Sequence, residues 1–487
     1  MHLPGLGDRV RGAIIWRSGS QILAQLITWA ATFLVIRLLD PDHYGLFAMT
    51  GVVLVFLNLM NGYGFSSALV QSETIDRERI AQVFGLLLLL NGALAAAQIL
   101  IAPVAAAYFR QPIVADLLRV QALLYASTPF IALPHALLSR RLEFKREAQV
   151  NLLAATLSAA TALGCAAAGA GVWTLVAAPI VLFWTRAVGL TIAARWLVWP
   201  SFRFSGAGPM ISYGGAMVAV QFFWFVQSQS DVFIAGRLLD PHELGLYTTA
   251  LFLTQVLASK FVPPLNEVAF AAYSRIQGHR DMMAFAFLKA ARLIMLVALP
   301  FYFGLAVTAE PLVLTFLGPK WAGTIAIVPT LAMAMPFLTL QILFAPATNA
   351  TGRPGIAVRV GVAGALILPV AFLIGIRFGI AGLAYGLVAG MVLLTAVTVA
   401  LSARAIAVGL PDLARAVRPG LLASAAMAAL VLAVDALLPP LPPQPRLAIL
   451  VSVGMAAYAG LLLSFARPLV AELLGLIRRR QPAAARA

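Results

Sequence analysis

Five polar side chains interrupt an apolar stretch near the N-terminus: Arg17, Gln21, Gln25, Thr28 and Thr32. Their spacing of four, four, three and four residues puts all of them on one face of a helix. Amides and hydroxyls in such a stripe can donate to and accept from a polyol, and the guanidinium can fork onto an anionic oxygen. A second stripe, Gln221, Trp224, Ser228 and Asp231, steps by three and four residues in the same way. Asn58 and Asn61 lie one turn apart, and Gln255, Ser259 and Asn266 share a face with Lys260 and Glu267 beside it.

All of these sit in runs long enough to cross a bilayer. A charge at the bilayer centre costs about 2.5–3.5 kcal/mol on insertion scales, so these side chains should face protein or a water-filled cavity. The plain reading of any single one is hydrogen-bonding glue between packed helices. As sets, the stripes point to a cavity. Arg17, Arg119, Arg186, Lys260 and Arg292 would make it cationic and suited to an anionic ligand such as a diphosphate. Asp231 and Glu267 are the ion-coupling candidates, with structural pairing to Lys260 or Arg292 as the alternative.

Catalytic patterns are absent from the sequence. It contains no GxxxxGK[ST] phosphate loop, no HExxH and no GxSxG. Its one cysteine, Cys165, excludes an intramolecular disulfide and a thiolate metal cluster. The expectation is a protein that is not an enzyme and that uses no cofactor and no metal.

The elements that must position the stripes follow from composition. Of 487 residues 62% are hydrophobic and 11% charged, with a mean hydropathy of +0.94. Soluble domains carry about 25% charged residues. Apolar windows of about twenty residues fall at 13–36, 44–70, 81–108, 113–137, 148–169, 172–194, 209–235, 244–270, 283–308, 322–348, 355–376, 380–402, 416–438 and 447–466. The reading is all-α, polytopic, with about fourteen transmembrane helices. With the N-terminus inside, 23 of the 34 Lys and Arg residues fall on cytoplasmic segments and six outside. That bias follows the positive-inside rule, puts both termini in the cytoplasm and accounts for most of the +16 charge, leaving no call for nucleic acid. "SRRLEFKRE" from Ser139 reads as a cytoplasmic charge cluster and "PPLPPQP" from Pro439 as a stiff external linker. Pro263-Pro264 should kink or unwind its helix.

One polar sentence is written twice. "RLLDPDHYGLF" runs from Arg37 and "RLLDPHELGLY" from Arg237, with seven of eleven positions identical. Each copy ends an odd-numbered helix and turns into the next, which implies a parallel internal repeat. The expected domains are residues 1–200 and 201–408 as two pseudo-symmetric six-helix lobes, and 409–487 as a terminal helix pair with a basic tail. Duplicated bundles of this kind favour a secondary transporter.

Seven segments occur in an order that resembles a known group: "RLLDPDHYGLFAMT", "LLSRRLEFKREAQVN", "GAGVWTLVA", "WPSFRFS", "QSDVFIAGRLLDPHELGLYTTA", "VAFAAYSRIQ" and "FLGPKWAGTIAIVPTLAM". Over about residues 10–400 the chain resembles polysaccharide flippases of the colanic-acid/teichuronic-acid exporter type, lipopolysaccharide-biosynthesis proteins of the multidrug/oligosaccharidyl-lipid/polysaccharide exporter superfamily. It departs from the family at Ala271 and Ala272, where a proline more often precedes the Ser-Arg. The resemblance implies a transporter in the bacterial inner membrane. It would move undecaprenyl-diphosphate-linked oligosaccharides from the cytoplasmic to the periplasmic leaflet by alternating access through a cationic cavity between two lobes. The implied partners are that lipid-linked substrate, membrane lipids, a polysaccharide polymerase and export machinery.

Three alternatives stay open at this point. A multidrug/cation antiporter of the same superfamily predicts an acidic site in the first lobe, whose spans hold only Asp116, near an end. A polysaccharide polymerase or ligase predicts a long external loop. A lipid-II-type flippase shares nearly all the expected features.

Overall fold

A computed structural model describes residues 6–60, 77–141, 143–195, 198–202 and 208–465, with side chains from Gly19 in the first helix and from Gln221 in the ninth. All regular structure among these residues is helical. In chain order the helices are α1 (Leu6–Leu38), α2 (Pro41–Asn58), α3 (Arg77–Phe109), α4 (Ile113–Gln121), α5 (Leu123–Ser127), α6 (Pro129–Arg140), α7 (Phe144–Ala167) and α8 (Trp173–Ala194). They are followed by α9 (Gly208–Leu238), α10 (Pro241–Ser274), α11 (Arg280–Val307), α12 (Ala309–Phe316), α13 (Val328–Ala350), α14 (Gly355–Gly375), α15 (Gly379–Ile406), α16 (Leu410–Leu437) and α17 (Pro443–Phe465).

Where the apolar windows overlap the described residues they fall on helices or broken runs of helices; the last part of the window at 44–70 lies outside them. Ten stretches of the described residues are long and apolar enough to cross a membrane, one of them the 52-residue run Gly355–Ile406 that holds both α14 and α15. The chain is a multi-pass membrane protein. The window at 113–137 is three helices rather than one, interrupted around Ala122 and Thr128, with Pro129 opening α6. Proline at a first helical position loses no hydrogen bond, so the break falls where it costs least. α10 continues as helix through Pro263 and Pro264.

Two compact units divide the chain: residues 1–225 with 235–245, and residues 226–234 with 246–487. In the first unit α3, α6 and α8 share a core around Leu87, Leu133, Leu138 and Leu190, all fully buried. α1 packs along α7, and α7 along α8. In the second unit Gly382, Gly386 and Gly390, at successive turns of α15, let it lie against α14, where a Cβ on Gly386 would come within 2.7 Å of the Ala371 carbonyl oxygen. The turn before α17 is fixed by Arg446, which forks onto Asp435 at 2.7 and 2.8 Å and reaches Glu310 at 3.1 Å.

The two copies of the repeated motif meet. Asp40 and Asp240 each start a helix: the Asp40 N–H donates to His43 Nδ1 at 3.3 Å, and Asp240 Oδ1 accepts the Glu243 N–H at 2.8 Å. Within the first unit α2 and the start of α10 then cross at Gly45 and Gly245. A Cβ on Gly45 would collide with the Pro241 carbonyl, and one on Gly245 with the Pro41 carbonyl. His242 Nδ1 lies 3.1 Å from Asp42 Oδ2 across the crossing. Arg237 donates to the Ala107 and Tyr108 carbonyls at the end of α3 and lies over the Tyr108 ring. The motif's aspartates therefore cap helices, and Arg237 binds the end of a third helix.

Candidate functional site: a polar cavity on α1, α7 and α8

The α1 stripe opens on a cavity of about 320 Å³ inside the first unit. Gln21, Gln25 and Thr28 line it from α1, together with Ser20 and Ala24. Arg186 and Leu182 enter from α8, and Phe144, Glu147, Ala148 and Asn151 from α7. The register between α7 and α8 is held beside the cavity by Gly189, where an added Cβ would lie 2.7 Å from Val150 Cγ1. Further along, Ser158 Oγ donates to the Ala178 carbonyl at 2.8 Å. One face of α1 thus faces polar groups while Ile22, Leu23 and Leu26 on its other faces stay 62%, 48% and 55% exposed.

The mouth of α7 is tied down by the charged cluster. Arg141 donates to the Ala194 carbonyl at 3.0 Å and Arg146 to the Ala193 carbonyl at 3.1 Å, satisfying the last turn of α8. Arg146 also pairs with Glu143 at 2.8 Å. Glu147, nearly buried, accepts from or pairs with His135 Nδ1 at 3.1 Å. Arg186 has no ion pair or hydrogen bond to another described residue, and its Nε is buried without a partner. Asn151 Oδ1 is likewise buried and unmatched. The amides of Gln21 and Gln25 make no hydrogen bond within the described chain, whereas the Thr28 hydroxyl donates to the Ala24 carbonyl at 2.8 Å.

Of the residues singled out from sequence, the structure brings Gln21, Gln25, Thr28 and Arg186 together. Thr32 lies further up α1, its hydroxyl spent on the Thr28 carbonyl. Arg17 is on α1 one turn before Gln21, with its side chain outside the described residues, and Asn61 is outside them altogether. Asn58 is exposed on α2. Arg119 pairs with Asp116 at 2.9 Å on an exposed face of α4. Ser20, Glu147 and Asn151 were not anticipated.

The remaining candidates do not line this cavity. Gln221 and Trp224 are exposed on α9. In the second unit Ser228 and Gln255 are half-buried, as is Arg292 on α11, and Lys260 and Glu267 are exposed on α10. Asp231 is buried; its carboxylate accepts the Val232 N–H at 2.8 Å and the Tyr247 hydroxyl at 3.1 Å. Among the described residues no lysine or arginine pairs with it. Asn266 donates to the Ile342 carbonyl at 3.2 Å, joining α10 to α13 as interhelical glue. No group of three or more His, Cys, Asp or Glu residues with metal-holding geometry occurs among the described residues.

Residues 34–326 match the family model described as polysaccharide biosynthesis protein. The chain is 26% identical over 343 residues to the succinoglycan biosynthesis transport protein ExoT of Rhizobium meliloti, covering 69% of each. It is 21% identical over 308 residues to the lipopolysaccharide biosynthesis protein WzxC of Escherichia coli, covering 61% of each. Its fold is similar to that of the lipid II flippase MurJ in an inward closed conformation, with a TM-score of 0.74, 12% identity and coverage of 94% of this chain and 100% of that one.

Proposed function

The chain belongs to the polysaccharide biosynthesis protein family, and from that premise we propose that it is a flippase for lipid-linked oligosaccharides. It carries undecaprenyl-diphosphate-linked repeat units from the cytoplasmic to the periplasmic leaflet of the bacterial inner membrane, for surface polysaccharide export. The observation that carries this reading is the convergence of Gln21, Gln25 and Asn151 with Arg186 and Glu147 on one cavity in an apolar bundle. Polar groups at that depth are costly unless a ligand or water meets them. Amides and hydroxyls match sugar hydroxyls, which also both donate and accept. The fold shared with a lipid II flippase supports movement by alternating access.

In this reading the protein carries no catalytic centre. Fourteen helices span the membrane as two lobes, residues 1–200 and 201–408, and a terminal pair, with both termini in the cytoplasm. A polysaccharide polymerase and export machinery receive the product.

Deleting the gene tests the proposal. Loss of surface polysaccharide with accumulation of undecaprenyl-linked repeat units on the cytoplasmic side is expected, and the wild-type gene should restore export. Intact export with no such accumulation would overturn it.

A further inference from the structure

We infer that the α1–α7–α8 cavity is a glycan subsite for a carboxyl-bearing sugar, and that the diphosphate of the substrate is held elsewhere. This rests on the flippase reading and narrows it.

Volume is the first argument. About 320 Å³ lies at the small end of ligand sites, roughly 300–1,000 Å³, and admits one or two sugar rings rather than a whole oligosaccharide. Charge is the second. The described lining holds one guanidinium, Arg186, and one carboxylate, Glu147. Among the described residues a diphosphate would bring its negative charges beside Glu147 with one cation, Arg186, to offset them, and in a low-dielectric bundle that repulsion is poorly screened.

Hydrogen-bonding capacity is the third argument. Gln21, Gln25 and Asn151 present donors and acceptors together, which is the chemistry of hydroxyls and not of phosphate, an acceptor-only group. Asn151 Oδ1 is buried and lacks a donor, so it suits a hydroxyl and rejects an oxyanion.

Arg186 supplies the fourth. Its buried Nε lacks a partner and no described carboxylate pairs with it, while Glu147 is engaged by His135 at 3.1 Å. A planar guanidinium of this kind is matched by a single carboxylate in a two-point fork. A uronic acid, or a sugar bearing a carboxylated substituent, provides that group on a ring whose hydroxyls meet the amides.

The test uses the full chain in lipid nanodiscs, with Cys165→Ser and Ala24→Cys placing one thiol on the cavity wall. The rate of alkylation by a water-soluble maleimide is measured with methyl glucuronide, methyl glucoside or inorganic pyrophosphate. Methyl glucuronide should slow the reaction at least about threefold at a concentration where methyl glucoside does less and pyrophosphate nothing. Adding Arg186→Gln should erase the difference between the two sugars, and Arg186→Lys should reduce it without erasing it. Protection by pyrophosphate, equal protection by both sugars, or protection by neither overturns the subsite. Any of these results would leave the flippase reading standing if deletion of the gene still abolishes export. Intact export in the deletion strain would strike that reading instead.

Discussion

Gly45 and Gly245 stand at equivalent places in the two copies of the RLLDP motif, and each lies against the proline carbonyl of the other copy. The contact is backbone against backbone, so no side-chain rotamer can make room for an added methyl group. Gly45→Ala or Gly245→Ala should cost about 1–3 kcal/mol, the usual range for overpacking. Together they should cost less than the sum, because the first substitution already forces the helices apart. The Asp42–His242 pair beside them is about half exposed on both sides. Asp42→Asn should therefore change stability by less than about 1 kcal/mol. Thermal unfolding of the purified variants in one detergent compares all four.

Asp231 is the next place where a structural role and a coupling role separate. It is buried and takes hydrogen bonds from Val232 and Tyr247. Tyr247→Phe strips one donor from a buried carboxylate and should cost about 1–3 kcal/mol. Asp231→Asn and Tyr247→Phe should lower stability and export in parallel, and the double variant should be no worse than the more damaging single one. An Asp231→Asn protein of undiminished stability that exports nothing would instead assign the carboxylate to ion coupling.

α1 has two solvents. In a Cys165→Ser background, Gln25→Cys should react with a charged, membrane-impermeant thiol reagent, since Gln25 lines the cavity. Leu26→Cys, one residue on and 55% exposed on another, apolar face of α1, should react at least about tenfold more slowly, as a thiol in hydrocarbon does, because thiolate does not form there. Equal rates at the two positions would mean that the stripe does not face water.

Most of the helix pattern was legible because apolar windows and their charged borders record the bilayer directly, residue by residue. The α1 stripe was legible for the same reason in reverse: Gln21 and Gln25 stand out only against an apolar background. Arg186 was visible as a lone charge inside a span. Glu147 was not, because the charged run from Ser139 reads as loop, whereas α7 begins at Phe144 and carries Glu147 into its first turn. Asn151 lay inside the window 148–169, but without that turn it had no polar neighbour to make a stripe. Their spacing of four residues, continued by Ser158, was the available signal. The turn at each RLLDP was readable from Asp-Pro alone. That the two turns touch was not, because local spacing holds no information about a partner two hundred residues away.

That separation matters while the chain is being made. Synthesis runs at about 5–20 residues per second, so roughly 10–40 s pass between the appearance of Gly45 and that of Gly245. Gln21 and Gln25 likewise enter the membrane well before Asn151 and Arg186 exist. During that interval the first hairpin has a polar stripe with no protein to face and a glycine notch with nothing in it. An insertase or chaperone that shields the newborn N-terminal helices would cover that interval. A substitution at Gly245 would leave the notch at Gly45 without a fitting partner after that interval as well, extending the exposure of the first hairpin.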